Sequence, residues 1–140
     1  MEVNNNSLDT WLSLVYIQIA INEGLERALQ EKYDLSLKEF YVLYFLSQSN
    51  EKKLRIQQLE KKVGLSQSAV SRLVNRMEAK SCGALQKNGC EMDRRGIYTH
   101  ITPLGEVKLK NALETFNKVI QTNLKKEELY TKISDLMKTI

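Results

Sequence analysis

The stretch that decides the fold is RIQQLEKKVGLSQSAVSRLVNRMEAK, residues Arg55–Lys80, and it is followed by MDRRGIYTHIT at Met92–Thr102. In the first segment, apolar residues at helical spacing lead to Gly64, and glycine is favoured in the left-handed conformation that ends many helices. Ser66 follows two residues later and can cap a second helix. The segment therefore predicts a short helix over Ile56–Val63, a tight turn, and a second helix from Ser66 to about Lys80.

The second segment predicts a β-hairpin. Ala84–Lys87 and Ile97–Ile101 are the expected strands, and the chain between them contains glycine and charged residues. Lys53–Arg55 is an expected short strand that joins this hairpin. Two helices across a tight turn, followed by a hairpin, make a winged helix-turn-helix, a device that reads duplex DNA.

One face of the Ser66–Lys80 helix has the composition of a DNA-reading surface. Arginine pairs with guanine, glutamine or asparagine with adenine, and serine with phosphate or either base. The exposed positions from Ser66 to Asn75 include no acidic residue, which weighs against an ordinary solvated face. The expected contacts are Ser66, Gln67, Ser68, Ser71, Arg72, Asn75 and Arg76.

The hairpin tip is the second candidate contact. Adjacent arginines, Arg94 and Arg95, suit a narrow and electronegative minor groove. Asp93 is expected to hold the Arg95 guanidinium in one rotamer through a charge-assisted hydrogen bond. The competing interpretation is a surface ion pair of little energetic consequence, and the preceding helix-turn-helix favours the DNA contact.

Charge is concentrated in the same region. The chain has 140 residues and a net charge of +4, but residues 1–51 hold three basic and eight acidic side chains. Residues 52–110 hold thirteen basic and five acidic side chains, a balance of +8. A basic zone beside neutral or acidic flanks is an electrostatic footprint for a polyanion such as nucleic acid.

The flanking segments predict long helices. The expected first helix is Leu8–Tyr33, and between Trp11 and Ile21 its apolar residues occupy nearly every face, which favours cover from a partner chain over burial within its own domain. Ser36 and Glu39 form a capping box for a second helix, whose predicted apolar face includes Tyr44. Thr102 and Pro103 open a helix to Leu124, and Glu127–Ile140 is expected to form the last one. The predicted fold is thus mainly α with a small β-wing. It is one domain, 1–140, with dimerisation helices at about 1–35 and 103–140 and a DNA-binding lobe at about 36–102.

Other classes of protein find little support. No signal peptide is visible and no apolar run is long enough to cross a bilayer, so a cytoplasmic protein without a membrane partner is expected. His100 is the only histidine and, with Cys82 and Cys90, lacks a recognised zinc spacing, so no metal or cofactor is expected. The residues contain no catalytic set, which argues against an enzyme. Four aromatic residues are either core side chains or the lining of a ligand pocket: Trp11, Tyr16, Tyr41 and Tyr44.

These motifs resemble one known family. The run from Asp93 and Arg95 to Ile101-Thr102, followed by Pro103-Leu104-Gly105, resembles the wing signature of MarR-family transcription regulators, and SQSAVSRLVNRMEAK is similar to their recognition helix. The resemblance implies a homodimeric DNA-binding protein. Such proteins usually repress their targets and are released by a small phenolic or lipophilic effector, or by oxidation.

The connection from Lys80 to Asp93 departs from the family pattern, since it contains Cys82, Gly83 and Cys90 where simpler members have a shorter basic strand. The two cysteines are the candidates for a redox switch near the wing, and Cys82 can equally be a small buried apolar residue. The expected function is a ligand- or redox-responsive repressor that binds a pseudopalindromic operator. The alternative is a winged-helix module that binds proteins rather than DNA.

Overall fold

The computed structural model of the chain describes residues 6–79, 83–88 and 98–138. Within these ranges it forms helices and a small antiparallel sheet, which confirms the predicted fold class. The helices are α1 (Asn6–Tyr33), α2 (Leu37–Ser47), α3 (Ile56–Val63), α4 (Gln67–Ala79), α5 (Pro103–Asn123) and α6 (Lys126–Lys138). The strands are β1 (Lys53–Arg55), β2 (Leu85–Asn88) and β3 (Tyr98–Ile101), and a 3-10 turn at Asn50–Lys52 precedes β1.

The predicted capping box begins α2. The Ser36 hydroxyl accepts a hydrogen bond from the Glu39 backbone N–H at 3.1 Å, and the Glu39 carboxylate accepts one from the Ser36 N–H at 2.9 Å. The Glu26 carboxylate of α1 also accepts from the Leu37 N–H at 3.0 Å. These bonds satisfy amide groups that have no partner inside the helix, and they tie the end of α1 to the start of α2.

The three strands form a sheet in the order β1-β3-β2, and both pairings are antiparallel. Arg55 lies opposite Tyr98, and Leu85 lies opposite Ile101. The predicted strand at Lys53–Arg55 is confirmed, whereas β2 is one residue later than predicted, because the Ala84 carbonyl accepts instead from the Thr102 N–H at 3.0 Å.

An apolar cluster joins helices α1 to α5 to the sheet. Leu29, Val42 and Leu43 are fully buried, and Leu59, Val70 and Val74 extend the same cluster into the helix-turn-helix. The prediction that Tyr44 faces this core is wrong: its side chain is 40% exposed and meets Phe45 edge-on. The reason is geometric, since Val42, Leu43 and Leu46 already occupy the inward side of α2.

The long helices pack on one another but leave much apolar surface open. Helix α1 packs against α5 and α6, and the Tyr33 hydroxyl lies 2.7 Å from the Thr115 hydroxyl of α5. In α1 the buried side chains are Leu25 and Leu29, both in its C-terminal half. Helix α5 ends one residue before its predicted end, and α6 begins one residue before its predicted start. None of the helices in the described ranges has the length and apolarity needed to cross a membrane.

Candidate DNA-binding surface

The turn between α3 and α4 has the predicted chemistry. Gly64 ends α3 with φ of 76°, in the left-handed region, and its N–H donates to the Glu60 carbonyl at 2.9 Å. The Ser66 hydroxyl then accepts from the Ala69 N–H at 3.2 Å and caps α4. A residue with a Cβ at position 64 would have to adopt a strained backbone. The turn is therefore set by local sequence.

Burial of one face fixes the orientation of α4. Val70, Leu73, Val74 and Met77 recur at helical spacing, and all lie in the core. The end of the helix is tied to β2, because the Glu78 carboxylate accepts from the Lys87 N–H at 3.2 Å. Rotation of α4 would expose the apolar stripe, so the opposite face is held towards solvent.

That opposite face carries the predicted DNA contacts. Ser66, Gln67, Ser68, Arg72, Asn75 and Arg76 are exposed, and Ser71 is half-buried. Arg72 and Arg76 are one helical turn apart, so their guanidinium groups emerge on the same side. The structure therefore brings together the seven residues that the sequence assigned to this helix, and α4 itself has no carboxylate before Glu78.

The predicted contacts of the wing tip, Asp93, Arg94 and Arg95, lie outside the described residues, as do Cys82 and Cys90. The structure describes the residues at the base of the wing. There, Thr102 caps α5 by accepting from the Gly105 N–H at 3.1 Å, and its hydroxyl also donates to the Gly83 carbonyl.

A cluster of basic and aromatic side chains at the wing base was missed by the sequence reasoning. An Arg55 guanidinium nitrogen, Nη2, donates to the Tyr98 hydroxyl at 3.0 Å, and the Lys53 ammonium lies 4.5 Å from the Tyr98 ring centroid. The hydrogen bond and opposite charge of Glu51 raise the pKa of Lys53, which favours its charged form. The alternation Lys-Leu-Arg in β1 places both cations on one face, but only the β1–β3 register brings Tyr98 to them.

The four aromatic candidates for a ligand pocket divide into two groups. Trp11 and Tyr41 line an open groove of about 410 Å³ between α1, α2, α5 and α6, together with Phe116 and Ile120. Burial raises the pKa of the Tyr41 hydroxyl, so this phenol stays protonated at neutral pH. Tyr16 is 64% exposed, and neither it nor Tyr44 lines this groove.

Known proteins share both the sequence pattern and the fold. Residues 33–96 match the model of the MarR family. The chain is 28% identical over 108 residues to the HTH-type transcriptional regulator SarU of Staphylococcus aureus, covering 77% of this chain and 42% of SarU. The matched region thus spans less than half of that relative's length.

Two solved structures from Streptomyces coelicolor are similar over nearly the whole chain. Sco3205, a MarR family transcriptional regulator in complex with DNA, is 20% identical with a TM-score of 0.80, covering 99% of this chain and 88% of that one. AbsC, also a MarR family transcriptional regulator, is 21% identical with a TM-score of 0.78, covering 94% and 89%. At these identities the likeness shows the fold. The family-model match covers residues 33–96, less than half of the chain, so this chain is similar in sequence to the MarR family there, and it shares the winged helix-turn-helix fold of these two regulators.

Proposed function

We propose that this protein is a sequence-specific double-stranded DNA-binding regulator that represses transcription. The observation that carries the proposal is the outer face of α4, where exposed serine, glutamine, asparagine and arginine side chains stand opposite a buried apolar stripe. A helix with this division can enter the major groove without unfolding its core. The complex of Sco3205 with DNA supports the same use of the shared fold.

In the proposal, α4 reads the major groove and the wing reads the adjacent minor groove. Arg72 and Arg76 suit guanine edges or phosphates, and Asn75 suits adenine. Asp93, Arg94 and Arg95 enter the proposal from the sequence and the family resemblance alone. Arg95 is assigned to the minor groove, with Asp93 as the residue that positions it.

The protein is further proposed to act as a homodimer through residues of about 1–35 and 103–140, with the lobe of about 36–102 on DNA. Apolar side chains on α1 and α6 support this division: Leu8, Trp11 and Ile19 on α1, and Tyr130, Ile133 and Met137 on α6, are each at least 44% exposed. Exposed apolar surface of this extent marks an association site. A two-fold dimer would bind a pseudopalindrome with half-sites roughly 34–36 Å apart.

Release from DNA is proposed to follow an effector or oxidation. The groove beside Trp11 and Tyr41 has a volume typical of small-molecule sites and a mostly apolar lining, which suits a phenolic or lipophilic ligand. The response to oxidation is proposed because the sequence contains Cys82 and Cys90, whose thiols can be oxidised. If operator binding before and after mild peroxide is identical in the wild type and in Cys90→Ser, the redox part of the proposal is wrong.

The central experiment is selection of bound genomic fragments with purified protein, followed by affinity measurements on the recovered duplex. Arg72→Ala is expected to weaken binding by about 1–3 kcal/mol, because it removes a fork of donors to a base or phosphate. Arg27→Ala is the matched control, since Arg27 is exposed on α1, outside the helix-turn-helix.

Absence of wild-type binding to any duplex at low salt would overturn the DNA proposal. The winged helix would then be read as a protein-interaction module. An equal loss of affinity in Arg72→Ala and Arg27→Ala would instead show that binding depends on the net positive charge of the protein and not on a specific contact from α4.

A further inference from the structure

A continuous polar surface connects the start of α4 to the base of the wing. A groove of about 370 Å³ runs from Gln67, past Lys61, to Gln57 and Gln58 of α3. A second groove of about 700 Å³ begins at the same two glutamines and continues to Arg55 and Tyr98. The surface therefore joins two structures that the proposed function places in neighbouring grooves of one duplex.

Arg55 is held in place at the end of this surface next to the wing. Its guanidinium donates to the Tyr98 hydroxyl at 3.0 Å and lies 5.0 Å from the centroid of the same ring. Its backbone N–H donates to the Gln58 side-chain oxygen at 2.9 Å, at the first turn of α3. An arginine held by a hydrogen bond and a cation–π contact loses less freedom when it binds than an unrestrained one.

The basic residues that line this surface differ in their contacts. Lys53 forms an ion pair with Glu51 at 2.9 Å, and the Lys62 ammonium lies over the Phe45 ring at 5.7 Å. In the ranges 6–79, 83–88 and 98–138, no carboxylate forms an ion pair with Arg55. Each groove has a carboxylate in its lining: Glu60 opposes an anion in the first, whereas Glu51 in the second is paired with Lys53, so a polyanion is better placed at the Arg55 end.

We propose that Arg55, positioned by Tyr98, binds a backbone phosphate of the duplex between the segments contacted by α4 and by the wing. The inference rests on the proposed function and adds a contact to it. Phosphate is the favoured partner because the guanidinium fork matches its oxygens, and because the first helix of a helix-turn-helix crosses the DNA backbone. Gln57 and Gln58 offer neutral donors beside the same phosphate.

Arg55→Ala tests the contact through the salt dependence of duplex binding. Removal of one phosphate contact should lower affinity about tenfold at low salt and make the slope of log K against log salt shallower by about 0.9. The loss should be the same for operator and unrelated duplexes, since phosphates carry no sequence information. Arg55→Lys should restore the slope, and Arg27→Ala should leave it unchanged.

Tyr98→Phe tests the positioning role. It keeps the ring and every charge, so the salt slope should stay unchanged while affinity falls about threefold. In an Arg55→Ala background the same change should have no further effect, because Tyr98 acts through the arginine. A misfolded fraction would lower the active concentration but would not alter the slope.

An unchanged slope in Arg55→Ala overturns the inference, and so does failure of Arg55→Lys to restore it. A Tyr98→Phe effect that persists in the Arg55→Ala background overturns the positioning role. These outcomes can be distinguished from failure of the proposed function. If the proposed function is wrong, the wild type binds no duplex. If only the Arg55 inference is wrong, the wild type binds duplex DNA and Arg72→Ala still weakens that binding.

Discussion

Gly105 shows how one residue joins the wing to the long helices. It lies in the first turn of α5, where its N–H donates to the Thr102 hydroxyl, and the Ala84 backbone passes directly over it. A Cβ at this position would collide with the Ala84 carbonyl oxygen and lie 2.8 Å from the Ile101 side chain. The obstacle is mainly backbone, which cannot rotate away as a flexible side chain can. Gly105 is thus required by close approach rather than by an unusual φ.

We predict that Gly105→Ala lowers the free energy of unfolding by about 3 kcal/mol, because the overpacked methyl group must displace β2 or α5. Gly24→Ala is the matched control. A Cβ at Gly24 would meet Val119 at an ordinary 3.7 Å, so alanine should stabilise α1 by about 0.5–1 kcal/mol. Urea unfolding of both variants measures the difference. Equal stability of the two would contradict the close approach of the Ala84 backbone to Gly105.

At the scale of elements, the helix-turn-helix was the most predictable part of the chain. Ser36, Gly64 and Ser66 act on amide groups within a few residues of themselves, so their roles are visible in local sequence. Strand β1 was also predicted, but the contact between Arg55 and Tyr98 that it makes possible was not, because these residues are 43 positions apart in the chain. The two tyrosines of α2 were ambiguous for the same reason, because the partial burial of Tyr41 and the exposure of Tyr44 depend on which helices lie beside α2.

The groove between α1, α2, α5 and α6 can be tested through Trp11, the only tryptophan in the chain. We expect thymol, a neutral alkylphenol, to change Trp11 fluorescence saturably and to lower operator affinity, because it would bind the apolar lining. Gln18→Phe should prevent both effects by filling the groove, whereas Tyr44→Phe, outside it, should not. Unchanged emission together with unchanged DNA affinity would remove this alkylphenol class from the proposal.

At the scale of the whole molecule, the exposed apolar residues of α1 and α6 are the main anomaly. Trp11 is 55% exposed and Tyr130 is 75% exposed, although α1 and α6 pack against each other. A chain that covers its helices on one side only leaves a surface suited to a second copy.

We predict a dimer at micromolar concentration that Ile133→Glu converts to a monomer, because a buried carboxylate at the interface would be unpaired. Gln30→Glu adds the same charge at an exposed position of α1 outside its apolar end and should leave the dimer intact. Light scattering across a dilution series distinguishes the two. A wild-type monomer at micromolar concentration would contradict the dimer proposal.

Local sequence was sufficient for the caps, the Gly64 turn and the division of α4 into two faces. Each depends on residues one to four positions apart, where spacing alone sets geometry. Tertiary structure decided the placement of Arg55 on Tyr98, the contact that requires Gly105, and the separation of Tyr41 from Tyr44. These features depend on strand register and on helix packing between segments that are far apart in the chain. The spacing of residues within one segment does not specify its distance from another segment, or which of its side chains are buried against that segment.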